Sequence, residues 1–301
     1  MTFLISNPRW RGVVLRELWN LPPRIFPLTR LHNSASCRTM KIASWNVNSL
    51  RIRGPILARY LATAKPDVLC LQETKVEDKD FPHDLVRALG FEHALFTGEK
   101  SYNGVAILSH LPLTALPSMD VSGSGAKRHL AATLPNGFVV HNFYVPAGGD
   151  IADPETNPKF ADKLAFMDGL TRWSQSLDPK TPTILLGDLN IAPYEHDVWS
   201  SRQLRDVVSH TPVEREKMLA LRDTIGWIDV ARHFVPMEEK LYSWWSYRNR
   251  DWKASNRGRR LDHLWVTPGL KSALKDFTIT QETRDWETTS DHVPVMVTLA
   301  A

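Results

Sequence analysis

Lys41-Ile42-Ala43-Ser44-Trp45-Asn46-Val47-Asn48 and Asp67-Val68-Leu69-Cys70-Leu71-Gln72-Glu73 read as two strands, each ending in polar side chains. Between them Ile56, Leu57, Tyr60, Leu61 and Ala64 recur at helical spacing, with Pro55 placed as a first-turn proline. Strand, helix, strand sets an α/β fold with chemistry at the strand tips. Further along, Val105-Ala106-Ile107-Leu108 is a strand, and residues 130–134 and 138–145 form two more around the Pro135-Asn136-Gly137 turn. Phe160, Leu164, Met167, Leu170 and Leu177 stripe a helix. Thr183-Ile184-Leu185-Leu186-Gly187 is a buried strand, residues 213–225 a helix, and residues 261–266 and 293–299 strands. The mixture predicts one α/β sandwich domain over residues 40–301.

Composition narrows the classes. Hydrophobic residues are 43% and charged residues 23%, with no apolar run long enough to cross a bilayer, so a membrane partner is not expected. The two cysteines, Cys37 and Cys70, form no CxxC pair, which argues against structural zinc and fits a reducing compartment. The net charge is +4, but residues 1–40 hold six arginines against Glu17 alone, so residues 41–301 sum to −1. Nucleic-acid binding would need a local basic patch.

Asn46, Asn48, Glu73, Asp188, Asn190, Asp262, Asp291 and His292 all stand at or beside the end of an apolar run. One such Asx is ordinarily a turn former; eight on five strand ends suggest a shared pocket. Their oxygen donors suit a hard cation such as Mg²⁺ or Mn²⁺, and phosphoryl transfer to water uses such a cation with a carboxylate base.

Trp45-Asn46-Val47-Asn48, Leu71-Gln72-Glu73-Thr74-Lys75, Tyr144-Val145-Pro146-Ala147-Gly148, Gly187-Asp188-Leu189-Asn190, Arg260-Leu261-Asp262 and Ser290-Asp291-His292 stand in the order of the endonuclease/exonuclease/phosphatase superfamily motifs, which this chain resembles. The Tyr144–Gly148 motif and Tyr242-Ser243-Trp244-Trp245-Ser246-Tyr247-Arg248 resemble its exonuclease III branch. That resemblance implies a four-layered α/β sandwich, two mixed β-sheets flanked by helices. It also implies a Mg²⁺-dependent DNA-repair nuclease, with Mn²⁺ as substitute and one or two ions. Such an enzyme cuts 5′ to abasic sites and trims 3′ ends of double-stranded DNA, as a monomer.

Roles follow from the resemblance. Glu73 is the principal metal ligand, with Asn46, Asn48 and Asp291 around it. Asp188 activates water, Asn190 bonds Asp188 or the phosphate, Asp262 orients His292, and Tyr144 serves the phosphate or leaving oxygen. A second ion would take Asp188, Asn190 and His292. Asn48 stands where some branches carry an acid, leaving metal affinity and ion number open. Trp244, Trp245, Arg248, Arg250 and Lys253 are expected to grip DNA, within a run of six basic residues from Arg248 to Arg260 against Asp251. His263 is expected to be a packed or surface histidine. A phosphodiesterase or phosphatase acting on RNA, lipid or inositol phosphates is the alternative, and a non-catalytic DNA-binding relative the remote one.

Residues 1–39 are expected to be an extension dispensable for the chemistry. An upstream start codon ahead of Met40 would make this a cytoplasmic bacterial enzyme; an arginine-rich transit peptide would make it mitochondrial. The bacterial-type body favours the first.

Overall fold

The computed structural model describes residues 39–249 and 251–301. The extension before Thr39 lies outside the described residues, as does Arg250, and so do the expectations placed on them. Thr39 opens the first strand, one residue ahead of the expected boundary.

Twelve strands form among the described residues: β1 (Thr39–Asn46), β2 (Val68–Gln72), β3 (His93–Glu99), β4 (Tyr102–Ser109), β5 (Thr114–Leu116), β6 (His129–Thr133), β7 (Val139–Tyr144), β8 (Thr183–Asp188), β9 (Ile228–Asp229), β10 (Asp262–Val266), β11 (Leu274–Ile279) and β12 (Val295–Ala300). They make two six-stranded sheets, ordered β11-β12-β1-β2-β4-β3 and β5-β6-β7-β8-β10-β9. Each sheet has one parallel pair, β1 with β2 and β7 with β8. A parallel pair needs a crossover, and helices α1 (Leu50–Ala64) and α2 (Pro158–Gln175) supply the two. Helix α3 (Pro212–Asp223) packs beside α2. Asn157 caps α2 ahead of Pro158, and Thr211 with Glu214 forms a capping box for α3.

Pro55 corrects the sequence reading. Helix α1 begins at Leu50, so Pro55 sits inside it rather than in its first turn. The earlier start is anchored by Leu50, which is fully buried and donates its N–H to the Thr74 carbonyl. β3, β5, β9 and β11 also escape the periodicity reading.

Strand alternation then places the site. On β1, Met40 and Ile42 enter the core between the sheets, while Ala43 and Trp45 pack outward with Leu50, Leu57 and Tyr60 of α1. On β8, Ile184 and Leu186 face inward and Leu185 faces α2 and α3. The same parity carries Asn46 and Asp188 inward at the strand ends, and Asp262 with Leu264 and Val266 on β10. His263, of opposite parity, packs outward, fully buried, against Trp265 and within 2.8 Å of the Ile191 carbonyl oxygen. Between the apolar core and these tips lies a polar layer. Gln72 Nε2 donates to Asn142 Oδ1 (2.7 Å) and Ser44 Oγ (3.0 Å), and Asn142 Nδ2 bonds the Leu71 and Ala106 carbonyls. Gly187 is required for close approach, since a Cβ there would lie 1.9 Å from the Phe143 carbonyl oxygen at φ +135°.

Candidate active site

Tyr144, Asp188 and Asp262 are lateral neighbours on β7, β8 and β10, and the facing sheet brings Asn46 to them. Asn46 Nδ2 donates to Asp188 Oδ2 (2.8 Å) and to Glu73 Oε1 (2.9 Å), bridging the sheets. Tyr144 also donates to Glu73 Oε1, at 2.9 Å. Asn190 holds Asp188 twice, backbone N–H to Oδ1 at 3.0 Å and Nδ2 to Oδ2 at 3.2 Å. His292 Nδ1 lies 2.8 Å from Asp262 Oδ2, and its Nε2 lies 3.6 Å from Asp188 Oδ2. The histidine is fixed from behind: Ser290 Oγ bonds the Asn46 carbonyl and accepts the His292 N–H, while Trp45 Nε1 donates to the His292 carbonyl.

Asn48 joins the outer edge, with its Nδ2 3.4 Å from Asp291 Oδ1, and Trp244 Nε1 donates to Asp291 Oδ2 at 2.9 Å. Lys75, which the motif reading quoted without a role, donates to Asn48 Oδ1 and lies 2.9 Å from Glu73 Oε2. Asn48, Glu73, Lys75 and Asn190 all have left-handed backbones, at φ 46°, 51°, 55° and 53°. Such turns are costly outside glycine; here they accompany the contacts that bring Asn48, Glu73 and Lys75 together and set Asn190 on Asp188.

Burial and partners set the charges. Burial works to raise the Glu73 carboxyl, but the Asn46 amide and the Lys75 ammonium outweigh it and hold Glu73 below its ordinary value. Burial, reinforced by the charges on Glu73 and Asp188, pushes the Tyr144 phenol well above its ordinary value, so it remains a donor. Burial opposes the His292 imidazolium, yet Asp262 and Asp188 overcome this and raise it well above the usual histidine range. Burial raises Asp188; His292 opposes that and Asp262 adds to it. Asp188 and His292 therefore titrate as a coupled pair, in which each charge favours the charged form of the other.

A divalent cation fits this donor set. Glu73 and Asn48 already hold one cation, the Lys75 ammonium, between anionic and amide oxygens, and Asp291 adds a carboxylate beside them. Asp188, Asp262 and His292 also cluster closely enough to hold an ion. In that group His292 pairs with both carboxylates, while Asp262 Oδ1 is buried without a hydrogen-bond partner.

The expected DNA-contact set divides. Trp244 is half-buried, its indole bonded to Asp291 and its ring 5.3 Å from the Arg259 guanidinium. Arg248 is exposed, and Lys253 is exposed while paired with Asp285. Trp245 is a correction: it is 1% exposed, packed against Tyr242 and Val293 with its N–H on Asn256, so it cannot meet DNA. Arg260, counted in the basic run, is fully buried between Asp197 and Asp229. Arg128 escaped the sequence reading, and Tyr247 was quoted in the aromatic motif without a role. Arg128 lies 4.8 Å from the Tyr144 ring and donates to the Tyr102 hydroxyl, and Tyr247 accepts from Arg53 beside Asn48.

Comparison with known proteins adds the family. A model described as the Endonuclease/Exonuclease/phosphatase family matches residues 43–292. Exodeoxyribonuclease III of Haemophilus influenzae is 34% identical over 268 residues, covering 85% of this chain and 98% of that protein. An AP endonuclease from Archaeoglobus fulgidus superposes with TM-score 0.80 at 32% identity, covering 87% of this chain and 100% of that one. A 3′ phosphatase from Neisseria, solved with its product DNA hairpin, gives TM-score 0.78 at 34% identity, covering 86% and 98%.

Proposed function

Since this chain belongs to the endonuclease/exonuclease/phosphatase family and is a DNA-repair nuclease of the exodeoxyribonuclease III type, we propose that it hydrolyses the phosphodiester 5′ to abasic sites. The same site trims 3′ ends of duplex DNA, using one Mg²⁺ with Mn²⁺ as substitute, and the enzyme acts as a monomer. The observation that carries this reading is the continuous relay from Tyr144 through Glu73, Asn46 and Asp188 to Asn190, closed by the His292–Asp262 pair.

Glu73, Asn48 and Asp291 would hold the ion, which supplies charge stabilisation at the phosphate oxygens. Asp188, fixed by three hydrogen bonds, orients water and takes its proton as the oxygen attacks phosphorus. The His292 imidazolium, held by Asp262, donates a hydrogen bond to the phosphate oxygen where charge develops. The P–O3′ bond breaks, and Tyr144, kept protonated, is placed to serve the departing oxygen. Asn190 acts on Asp188 as a donor, and Asp188 and Asp262 are engaged with His292, so this group functions as the base-and-donor half of the site.

Two labelled duplexes, one with an abasic site and one intact with recessed 3′ ends, test the reading. With Mg²⁺, incision 5′ to the lesion leaving a 3′-hydroxyl and nucleotide release from the intact ends are expected, and EDTA abolishes both. Full activity in EDTA, or hydrolysis only of RNA, lipid or inositol phosphates, would overturn it.

A further inference from the structure

Lys163 on α2 is fully buried, and its ammonium meets three oxygens. They are Glu214 Oε1 at 2.5 Å, the Asn190 carbonyl at 2.8 Å and the Ala147 carbonyl at 3.3 Å. Glu214 is itself immobilised, accepting from the Ser209 and Thr211 N–H groups and the Thr211 hydroxyl. A buried lysine is costly unless its charge is paired and its donors are used, and here both conditions hold. The two carbonyls belong to the loops leaving β8 and β7, two residues beyond Asp188 and three beyond Tyr144.

Asn190 is thereby gripped on both sides. Lys163 holds its carbonyl, while its N–H and side chain hold Asp188 and its Nδ2 also bonds the Val145 carbonyl. This clamp offsets the strain of its left-handed backbone. Gly148 shows how tight the arrangement is: a Cβ there would lie 2.9 Å from Lys163 Cδ and 3.0 Å from Val208 Cγ1, at φ +89°. The glycine of the Tyr-x-Pro-x-Gly motif thus makes room for the lysine stem.

The geometry points to Lys163 as a positioning residue: neutralised by Glu214, it fixes the Asn190 and Ala147 carbonyls and so sets the aim of Asp188. This rests on Asp188 being the base that activates water. Lys163→Met, Lys163→Arg and the double variant Lys163→Met/Glu214→Gln are compared with Leu221→Ala, a core change on α3. Melting temperature, kcat and KM on abasic duplex, and hydrogen exchange over residues 188–192 are measured.

Lys163→Met is expected to lower kcat about 10- to 100-fold with KM unchanged, as a misaimed base does. Lys163→Arg recovers part of the rate. The double variant, which leaves no unpaired buried charge, regains melting temperature but not kcat. Exchange over 188–192 quickens in both Met variants and not in Leu221→Ala. Wild-type kcat in the double variant, or equal kcat loss in Leu221→Ala, would reduce Lys163 to a structural lysine. Should the wild type cut no duplex, the functional reading fails, and the exchange result alone decides the clamp: quickened exchange supports it, unchanged exchange sinks it.

Discussion

Replacing Arg260 with methionine should unfold the protein earlier without loosening its hold on DNA. The guanidinium makes four hydrogen bonds: Nε and Nη2 to Asp197 at 2.9 Å each, and Nη1 and Nη2 to Asp229 at 3.0 and 2.8 Å. Burial weakens its hold on the proton, but Asp197 and Asp229 more than reverse this, placing it above its ordinary range. Methionine fills most of the volume, removes one of the two arginines on Asp197 and leaves Asp229 without its arginine. Asp197 keeps Arg232 as a partner, while Asp229 keeps the Arg232 backbone N–H. Breaking a buried pair from one side costs about 3–5 kcal/mol. For a body of this size that is a fall in melting temperature of roughly 10 °C. Arg260→Lys keeps the charge but loses the planar fork, so it should recover only part of the loss. Circular dichroism melting and DNA affinity across a salt series measure both effects. An unchanged melting temperature with a flatter salt dependence would refute the reasoning and return Arg260 to the DNA surface.

Arg248→Ala with Lys253→Ala should flatten the salt dependence of duplex binding, whereas Trp245→Ala should lower the melting temperature and leave that slope intact; fluorescence anisotropy and melting separate the two. Glu73→Gln should weaken Mg²⁺ binding at least tenfold by isothermal titration, since it removes the anionic oxygen beside Asn48; unchanged affinity would place the cation elsewhere. Burial lowers His129 to about 3, and His141 and His263 to about 4, from an ordinary 6.5. The fold therefore accepts their neutral rings. Their contribution is complete above pH 6.5 and is lost as pH falls toward 4, by about 1 kcal/mol per histidine for each pH unit. His292, raised instead, contributes fully below 6.5 and loses its share as pH rises through its folded value. Urea melts between pH 7.5 and 5 check this, and a midpoint that does not fall below pH 6.5 would contradict the buried-neutral assignment.

Much of the site was legible because its polar residues stand at the ends of apolar runs. Only that place marked them in the sequence; parity, which Ile42 shares with Asn46 on β1 and Ile184 with Asp188 on β8, explains why those tips point inward. The same rule separates Asp262 from His263, and applied to Leu264 and Val266 it would have sent His263 outward from the sequence alone. Edge strands were less visible. β3 is half-buried along its whole length, and β11 carries exposed Lys275 and Asp276 beside a bulge, so neither alternates clearly. Counting charges could not tell Arg248, in solvent, from Arg260, whose partners Asp197 and Asp229 are 63 and 31 residues away. Lys75 was hidden for a different reason. Its reach to Asn48 depends on left-handed backbone at both Glu73 and Lys75, which no residue preference signals.

Single-turnover cleavage of an abasic duplex by wild type and Asp188→Asn, with duplex affinity measured on the same proteins, tests most directly whether Asp188 activates the attacking water. The substitution keeps the size of the side chain and removes its basicity. The expected result is a rate lowered about 10²- to 10⁴-fold with affinity retained, as for a lost general base. A rate within tenfold of wild type, or a collapse in binding matching the loss of rate, would contradict the account.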